Sequence, residues 1–344
     1  MLDDLKLIHQ RDAEDALGIA EKQGEQLLKA FEITGNTTFE NVDNVVYAGM
    51  GGSALAASLL PTWPGIAAPF EIVRNYELPA YVGPNTLVIV ASYSGNTEET
   101  LSALKDAETR GAQIAIIAGG GKLQEAAEEK GYPQIVLPKA AQPRYAVLYN
   151  FRALLDILVL TSLLDKGAVI PELEGAAAFI SAAAKAWRPD VPIAQNPAKQ
   201  LALEMIGKSV VVYGGPKMYP AARKWKIGFN ENAKQVAWAG QYPEFNHNEF
   251  IGWSKQPVDK PYAVVDLRSS FEHARVRRRF EVSARLLSGM RPDPYVVEAQ
   301  GDTLLEQLLW TIVYGDFVTI YTAILNGVNP APVDLVEKFK KELN

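Results

Sequence analysis

The sequence predicts an α/β protein with doubly wound parallel sheets that are flanked by helices. Three observations lead to this prediction. Short β-rich runs alternate with segments of helical periodicity, which is the pattern of βαβ units. The run Thr86–Ala91 (TLVIVA) is apolar throughout, as expected of a strand that is buried on both faces of a parallel sheet. The pattern then restarts in the second half of the chain, which indicates a duplicated domain.

The first half of the chain supplies the elements of one such domain. Residues 1–43 look largely helical and polar. The predicted strands that follow are Asn44–Gly49, Phe70–Arg74, Thr86–Ala91, Gln113–Ala118 and Gln134–Leu137. The helical segments are Ser53–Leu60, Glu98–Arg110, Lys122–Lys130 and a long helix from about Tyr145 to Leu164. Glycines at the end of the first run predict a tight turn before the next helix.

The second half repeats the pattern after Ala168–Pro192, which reads as Ala- and Pro-rich linking structure. Its predicted strands are Lys208–Gly215, Tyr262–Leu267 and Tyr295–Val297, and its helices are Ser270–Leu287, Thr303–Leu325 and the amphipathic tail Val333–Leu343. We therefore predict an N-terminal domain at 1–165 with a helical N-terminal extension, a linker at 166–195, a second domain at 196–330 and a C-terminal helix at 331–344.

Composition restricts the classes of partner. The 344 residues suggest two domains, and 48% apolar with 22% charged residues is normal for a soluble globular protein. The net charge of −6 argues against nucleic-acid binding. We interpret the one basic run, Arg275–Arg279, as the solvated face of a helix, with a dimer or anion contact as the alternative. The absence of cysteine excludes disulfides and thiolate metal sites, and the three histidines are too scattered for a His-rich metal site.

The start of the chain and its apolar stretches bear on localisation. Residues 1–4 are acidic where a signal peptide has a basic region. Stretches such as Leu154–Leu164 are too short to span a bilayer. We therefore expect a cytoplasmic protein with no membrane partner.

Two loops predict a phosphate site. Gly51, Gly52 and Ser53 follow the first strand and open a helix, whose N–H groups and dipole favour an anion. A nicotinamide site is the alternative reading of these glycines, but the spacing of a third glycine is missing. The second loop, Ser92–Thr97, places three hydroxyls at another helix start, whereas a helix cap needs only one. Both loops leave the carboxyl ends of parallel strands, where ligands bind in open α/β sheets.

The same loops carry a family resemblance. The segments Gly49–Ala54 (GMGGSA) and Ser92–Thr100 (SYSGNTEET) resemble the signature of sugar isomerase (SIS) domains. Nearly the whole chain is similar to the bifunctional phosphoglucose/phosphomannose isomerase family, which has two flavodoxin-like SIS domains in tandem. The further segments that carry this resemblance are Gln142–Arg144, Phe229–Lys234 (FNENAK), Pro243–Glu249 (PEFNHNE) and the C-terminal helix with Lys340.

The resemblance implies a cofactor- and metal-independent isomerase of glucose 6-phosphate, mannose 6-phosphate and fructose 6-phosphate in glycolysis and gluconeogenesis. Moving a proton between C1 and C2 through an enediolate requires a base, and Glu231 is the candidate. An N-cap or an ion pair with Lys234 is the alternative for Glu231. Arg144 is expected to stabilise charge on the enediolate, or else to form a salt bridge that caps the next helix.

Two further residues are expected at the reacting end of the sugar. The resemblance implies that His247 opens the ring and reaches the site from the partner subunit of a homodimer, whereas a loop histidine satisfied by its neighbours is the plainer interpretation. Lys340 matches the position of a second ring-opening group. Lys338 and Lys341 are rivals for that role, and a solvated helix face would explain all three lysines.

Two other functions stay open at this point. A non-catalytic sugar-phosphate sensor would share the phosphate loops, although no helix-turn-helix segment with a basic recognition helix is visible. An isomerase of another phosphosugar would share them as well. The mannose activity follows only from the resemblance, because the stretch Asn329–Pro332 lacks the small hydroxyl residue that members of the family have there.

Overall fold

The computed structural model describes residues 1–140, 142–255 and 261–343. They form two compact units. The first unit is Gln23–Ala178, and the second unit combines Met1–Lys22 with the chain from Phe179 onward. The domain limits given in the sequence analysis remain a prediction, and they are not the limits of these two units.

Strands and helices are numbered separately in chain order. The strands are β1 (Asn44–Gly49), β2 (Phe70–Val73), β3 (Thr86–Ser92), β4 (Gln113–Ala118), β5 (Gln134–Val136), β6 (Ser209–Gly214), β7 (Ala237–Gln241), β8 (Tyr262–Arg268) and β9 (Tyr295–Glu298). The first helices are α1 (Leu5–Arg11), α2 (Ala16–Glu21), α3 (Gln23–Leu27), α4 (Gly51–Leu59), α5 (Glu98–Thr109), α6 (Gly121–Lys130) and α7 (Val147–Leu160). The remaining helices are α8 (Lys166–Ala184), α9 (Pro197–Met205), α10 (Tyr219–Glu231), α11 (Glu249–Gly252), α12 (Ala274–Leu286), α13 (Leu304–Asn326) and α14 (Asp334–Leu343).

The first unit contains a parallel sheet with the strand order β2-β1-β3-β4-β5. This is the flavodoxin-like order, so the predicted fold class is confirmed. Every residue of β3 is buried, which explains its continuous apolar run. Helices α5 and α6 pack against alternate side chains of the strands, such as Val88 and Ile116, while α4 and α7 contact each other and the same sheet.

The second unit contains a parallel sheet with the order β7-β6-β8-β9, which repeats the first order without its last strand. The predicted duplication is therefore present in the topology. The two sheets also end alike: Gly49 of β1 pairs with Ala91 of β3, and Gly214 of β6 pairs with Leu267 of β8. The order reverses beside β1 and β6, and ligands bind at such switch points.

The long helix α13 lies in the core of the second unit. It begins with a capping box between Thr303 and Glu306 and ends at Gly327 in the left-handed conformation. Two described helical stretches, Leu304–Asn326 and Lys166–Trp187, are long and apolar enough to cross a membrane by length and composition. Burial inside the protein accounts for the apolar character of Leu304–Asn326, since 89% of its most apolar 18-residue stretch is buried. In Lys166–Trp187 the buried share is 33%.

Several elements differ from the sequence prediction. The segment expected to link the domains contains α8, because its alanines favour a helix, which continues through the internal Pro171. The N-terminal extension is helical only as far as Leu27. Helix α10 and strand β7 were not predicted, and they complete the βαβ unit that begins with β6.

Candidate active site

The turn between β1 and α4 presents N–H groups at the end of the sheet. Helix α4 starts at Gly51, and no side chain caps its N-terminus. Gly51 has a φ of +48°, which glycine adopts without strain. Ser53 is buried in the first turn of the helix. The turn therefore offers uncapped helix N–H groups together with one hydroxyl, a combination that suits an anion.

The second loop holds three hydroxyls in one cluster. The Oγ of Ser92 lies 2.7 Å from Oγ1 of Thr97 and 3.3 Å from Oγ of Ser94. Thr97 is the N-cap residue of α5, yet its side chain makes no capping hydrogen bond. The plain capping interpretation is therefore wrong for this residue. The hydroxyls instead bond one another, and hydroxyls in such a cluster can turn toward an acceptor.

Glycines fix the shape of this hydroxyl loop. Gly95 has a φ of +68°, and a Cβ there would lie 1.7 Å from the carbonyl oxygen of Gly120. The Leu123 N–H donates to the Gly95 carbonyl at 3.0 Å, and the Lys122 N–H donates to Oδ1 of Asn96 at 3.1 Å. The Gly119–Gly121 turn that follows β4 thus supports the site, and sequence reasoning missed it. Three consecutive glycines directly after a strand were the signal.

Arg144 lies beside the first of these turns. It sits in a short 3-10 helix, Pro143–Tyr145, and is buried with its guanidinium 4.6 Å from the centre of the Tyr145 ring. A Cβ on Gly52 would lie 2.9 Å from the Pro143 carbonyl oxygen and 3.2 Å from the Arg144 nitrogen. The absence of a side chain at Gly52 therefore lets the Arg144 backbone approach the turn. We refer to Gly51, Gly52, Ser53, Ser92, Ser94 and Thr97 as the cradle.

Glu231 lies in the second unit as the last residue of α10 and is half-buried. Its predicted alternative role as an N-cap is wrong, because it stands at the opposite end of the helix. The helix dipole disfavours a carboxylate at this end. The next residue, Asn232, is fully buried and donates to Oγ1 of Thr319 at 2.9 Å, which anchors the helix end to α13.

Lys234 also holds this region, which sequence reasoning had considered only as an ion-pair partner. It has a φ of +53°, and its Nζ donates to the main-chain carbonyls of Glu231 and Asn329, at 2.8 Å each. The Pro330 carbonyl accepts a third bond at 3.2 Å. Lys234 therefore ties the end of α10 to the segment that leads into α14.

A cavity of about 950 Å³ opens beside Glu231 within the second unit. It combines polar groups with an apolar wall, as ligand sites commonly do. The polar lining includes Lys226, Asn230, Glu231, Lys234 and Gln235, and the apolar lining includes Val236, Trp238, Val328, Val333, Leu335 and Val336. Glu231 thus lies in a concave surface large enough for a hexose phosphate.

His247 and Lys340 do not line this cavity. His247 is exposed at the end of a 3-10 helix, Glu244–His247. The Nζ of Lys340 donates to Oε1 of Glu337 on the exposed helix α14, at 2.7 Å. Among its rivals, Lys338 pairs with Glu342 at 3.8 Å, and Lys341 is exposed.

The other polar residues around His247 hold its loop in place. Asn246 donates to Oγ of Ser283 at 2.8 Å, and Asn248 donates to Oε1 of Glu244 at 2.6 Å. The hydroxyl of Tyr213 donates to the carboxylate of Glu249 and accepts from Nε1 of Trp253 at 3.0 Å. The segment Glu244–Glu249 is therefore a structured turn that presents His247 to the solvent.

Among the residues that the structure describes, no group of three or more histidines and carboxylates lies close enough together to hold a metal ion. The chemical groups that the structure offers are neutral hydroxyls and N–H groups in the cradle, the buried Arg144, whose backbone lies beside Gly52, and the Glu231 carboxylate in its cavity.

Comparisons with known proteins bear on the family and the fold. Residues 194–343 match the family model of the bacterial phospho-glucose isomerase C-terminal SIS domain. The chain is 36% identical to a bifunctional phosphoglucose/phosphomannose isomerase from Caldicellulosiruptor bescii over 93% of its own length and 96% of that protein. It is also 31% identical to a D-glucosamine-6-phosphate 4-epimerase from Sulfolobus acidocaldarius over 66% of its length and 69% of that protein.

The fold has solved counterparts. A glucose-6-phosphate isomerase-like protein from Thermus thermophilus superimposes with a TM-score of 0.67 at 17% identity, covering 99% of this chain and 98% of that one. At that identity the match supports the fold alone. The sequence similarity to the Caldicellulosiruptor bescii protein decides the family. The chain belongs to the bifunctional phosphoglucose/phosphomannose isomerase family.

Proposed function

We propose that this protein is an aldose–ketose isomerase that interconverts glucose 6-phosphate and fructose 6-phosphate and also accepts mannose 6-phosphate. The observation that supports it most is the cradle, whose hydroxyls bond one another and leave both helix starts uncapped by side chains. The family relationship adds the substrate class, because the relatives are named for these two isomerase activities.

The cradle binds the phosphate in this proposal. Several neutral donors suit a phosphate dianion, because each N–H or hydroxyl that meets a charged oxygen makes a strong hydrogen bond. Anchoring the phosphate restrains the sugar at one end and leaves C1 and C2 in a limited set of positions. The same anchor serves each hexose 6-phosphate.

Glu231 moves the proton between C1 and C2, and Arg144 stabilises the enediolate. A guanidinium keeps its charge throughout, so it stabilises negative charge on O1 and O2 without exchanging a proton. We assign ring opening to His247 of the partner subunit in a homodimer, with Lys340 as the second group. The reaction takes place in the cytoplasm, as a step of glycolysis and gluconeogenesis.

The decisive test is turnover of fructose 6-phosphate in a coupled assay after exhaustive treatment with EDTA. We expect full activity with glucose 6-phosphate and mannose 6-phosphate as products. Folded protein without turnover would contradict the proposal, and saturable binding of the sugar phosphate without turnover would favour a sensor. A panel that includes glucosamine 6-phosphate separates this activity from that of the 4-epimerase relative.

A mixing experiment tests the shared site in a homodimer. Glu231→Gln and His247→Ala are each expected to be inactive. When the two variants are mixed and their subunits exchange at random, half of the dimers contain one subunit of each variant and therefore one intact site of two. We expect about a quarter of the wild-type activity in the mixture. A mixture that stays inactive after verified subunit exchange contradicts the assignment of His247 to the partner.

A further inference from the structure

Each of the duplicated sheets carries a loop of the same length between a central strand and the next helix, β3 to α5 and β8 to α12, but the two loops differ in sequence. In the first unit, six residues separate Ala91 of β3 from α5, and Thr97 is the N-cap of that helix. In the second unit, six residues separate Leu267 of β8 from α12, and His273 is the N-cap. The segment Ser92–Thr97 therefore corresponds residue by residue to Arg268–His273.

The second loop, Arg268–His273, carries a carboxylate, that of Glu272, whereas the first loop, Ser92–Thr97, carries hydroxyl groups. Oε1 of Glu272 accepts from the N–H of Lys217 at 2.8 Å and from the N–H of Met218 at 3.2 Å. Met218 is the N-cap of α10, so these donors lie at the start of the helix that follows β6. In the first unit the start of α4 likewise follows the strand at the edge of the switch point, β1.

Glu272 fills this position closely. Its residue is 4% exposed, and a Cβ on Gly215 would lie 2.4 Å from its carboxyl carbon. Burial raises the pKa of the Glu272 carboxyl, and the hydrogen bonds from Lys217 and Met218 oppose that rise. A side chain at position 215 would therefore displace the carboxylate from this place.

The hydroxyls of the second loop are engaged as well. Ser269 donates to Oε1 of Gln307 at 2.6 Å, and Nε2 of Gln307 donates to Ser270 at 2.8 Å. The position of Ser92 is taken by Arg268, whose guanidinium lies 3.4 Å from Asp266. The hydroxyls of the first loop bond one another, whereas those of the second loop are held by α13.

We infer that Glu272 is a built-in anion that closes a second phosphate cradle, so that one chain accepts one phosphate group and not two. Two independent observations support the inference: the matched loops of the duplicated sheets, and a buried carboxylate bonded to the N–H groups at the start of α10. Removing the carboxylate takes away this acceptor of the Lys217 N–H, whereas the Met218 N–H keeps its bond to the Gly215 carbonyl at 3.0 Å. An inorganic phosphate dianion is the ligand that would replace it.

The test is the stoichiometry of inorganic phosphate binding by isothermal titration to the wild type, Glu272→Ala and Glu272→Gln. Glu272→Ala is expected to bind one more phosphate per chain than the wild type. Glu272→Gln is the matched control, because its amide oxygen still accepts from Lys217 and Met218, and it should bind as the wild type does. Equal stoichiometry in the wild type and Glu272→Ala overturns the inference.

The outcome is separable from that of the proposed function. If the wild type binds no phosphate and Glu272→Ala binds one phosphate per chain, the result would support the closed second cradle and contradict phosphate binding by the first cradle. If Glu272→Ala is unstable, millimolar phosphate should raise its Tm more than that of Glu272→Gln, because ligands that bind only the folded state stabilise it. Equal phosphate-induced shifts in the two variants would overturn the inference.

Discussion

Gly52→Ala tests whether the close approach at the first turn of the cradle positions Arg144. The added Cβ would lie 2.9 Å from the Pro143 carbonyl oxygen, whereas ordinary contact begins at 3.4 Å. The difference, 3.4 minus 2.9, requires the Pro143–Arg144 segment to retreat by about 0.5 Å. Gly52 lies in α4 without a positive φ, so the substitution adds no backbone strain.

The substitution is expected to affect both stability and catalysis. Overpacking costs about 1–3 kcal/mol, and replacing a helical glycine by alanine returns about 0.5–1 kcal/mol. The net loss of stability should therefore be at most about 2.5 kcal/mol. A displacement of 1 Å at an active site can cost about 100-fold in rate, so half of that predicts a loss of about tenfold in kcat.

The assay is kcat and KM for fructose 6-phosphate, with urea unfolding of the same preparations. Gly83→Ala is the matched control, because Gly83 lies in the same unit, has no positive φ, and has no atom within 4 Å of an added Cβ. It should behave as the wild type does. Wild-type kcat in Gly52→Ala would refute the argument that this contact positions Arg144.

Two further predictions concern the cradle and the core. Thr97→Val should raise the KM for fructose 6-phosphate about 10- to 100-fold, since a hydrogen bond to a charged group contributes about 1.5–3 kcal/mol; an unchanged KM contradicts this. The side chain does not cap α5 but bonds Oγ of Ser92, so we expect a loss of stability of about 1 kcal/mol. Burial raises the pKa of Asp266 from 3.8 to about 6, despite nearby Arg291 and Arg268, so its contribution to stability is complete below about pH 4 and about 3 kcal/mol is lost as pH rises through 6. Asp266→Asn should lack this dependence in urea unfolding at pH 4 and pH 8, and a constant difference from the wild type contradicts the shift.

The fold was predictable where the local pattern and the tertiary environment agree. The limits of β1 follow from an apolar run that ends in glycine, and β3 follows from a run buried on both faces. The hydroxyls of Ser92, Ser94 and Thr97 were recognisable because their number exceeds what a helix cap needs. Their positions at neighbouring strand ends follow from the order of a doubly wound sheet.

The rest depends on contacts between distant residues. The sequence shows Gly52 and Arg144 but not the approach of one backbone to the other, which only a Cβ-free position permits. Likewise, Glu272 looks like an ordinary surface residue until the fold brings it to the start of α10, 54 positions from Met218 in sequence. Helix α8 was missed because its proline and alanines were interpreted as a linker.

The most direct measurement of the central claim compares kcat for isomerisation by Glu231→Gln with kcat for the control variant Glu281→Gln. It is combined with the reaction of the wild type in D2O. Glu281 is exposed on α12 and paired with Arg278, so its replacement makes the same charge change away from the cavity. We expect that Glu231→Gln still binds fructose 6-phosphate while kcat falls on the order of 10²–10⁴-fold. We also expect wild-type kcat for Glu281→Gln, and solvent deuterium at C2 of the aldose product from the wild type. A Glu231→Gln variant with near-wild-type kcat would contradict the assignment of Glu231 as the base.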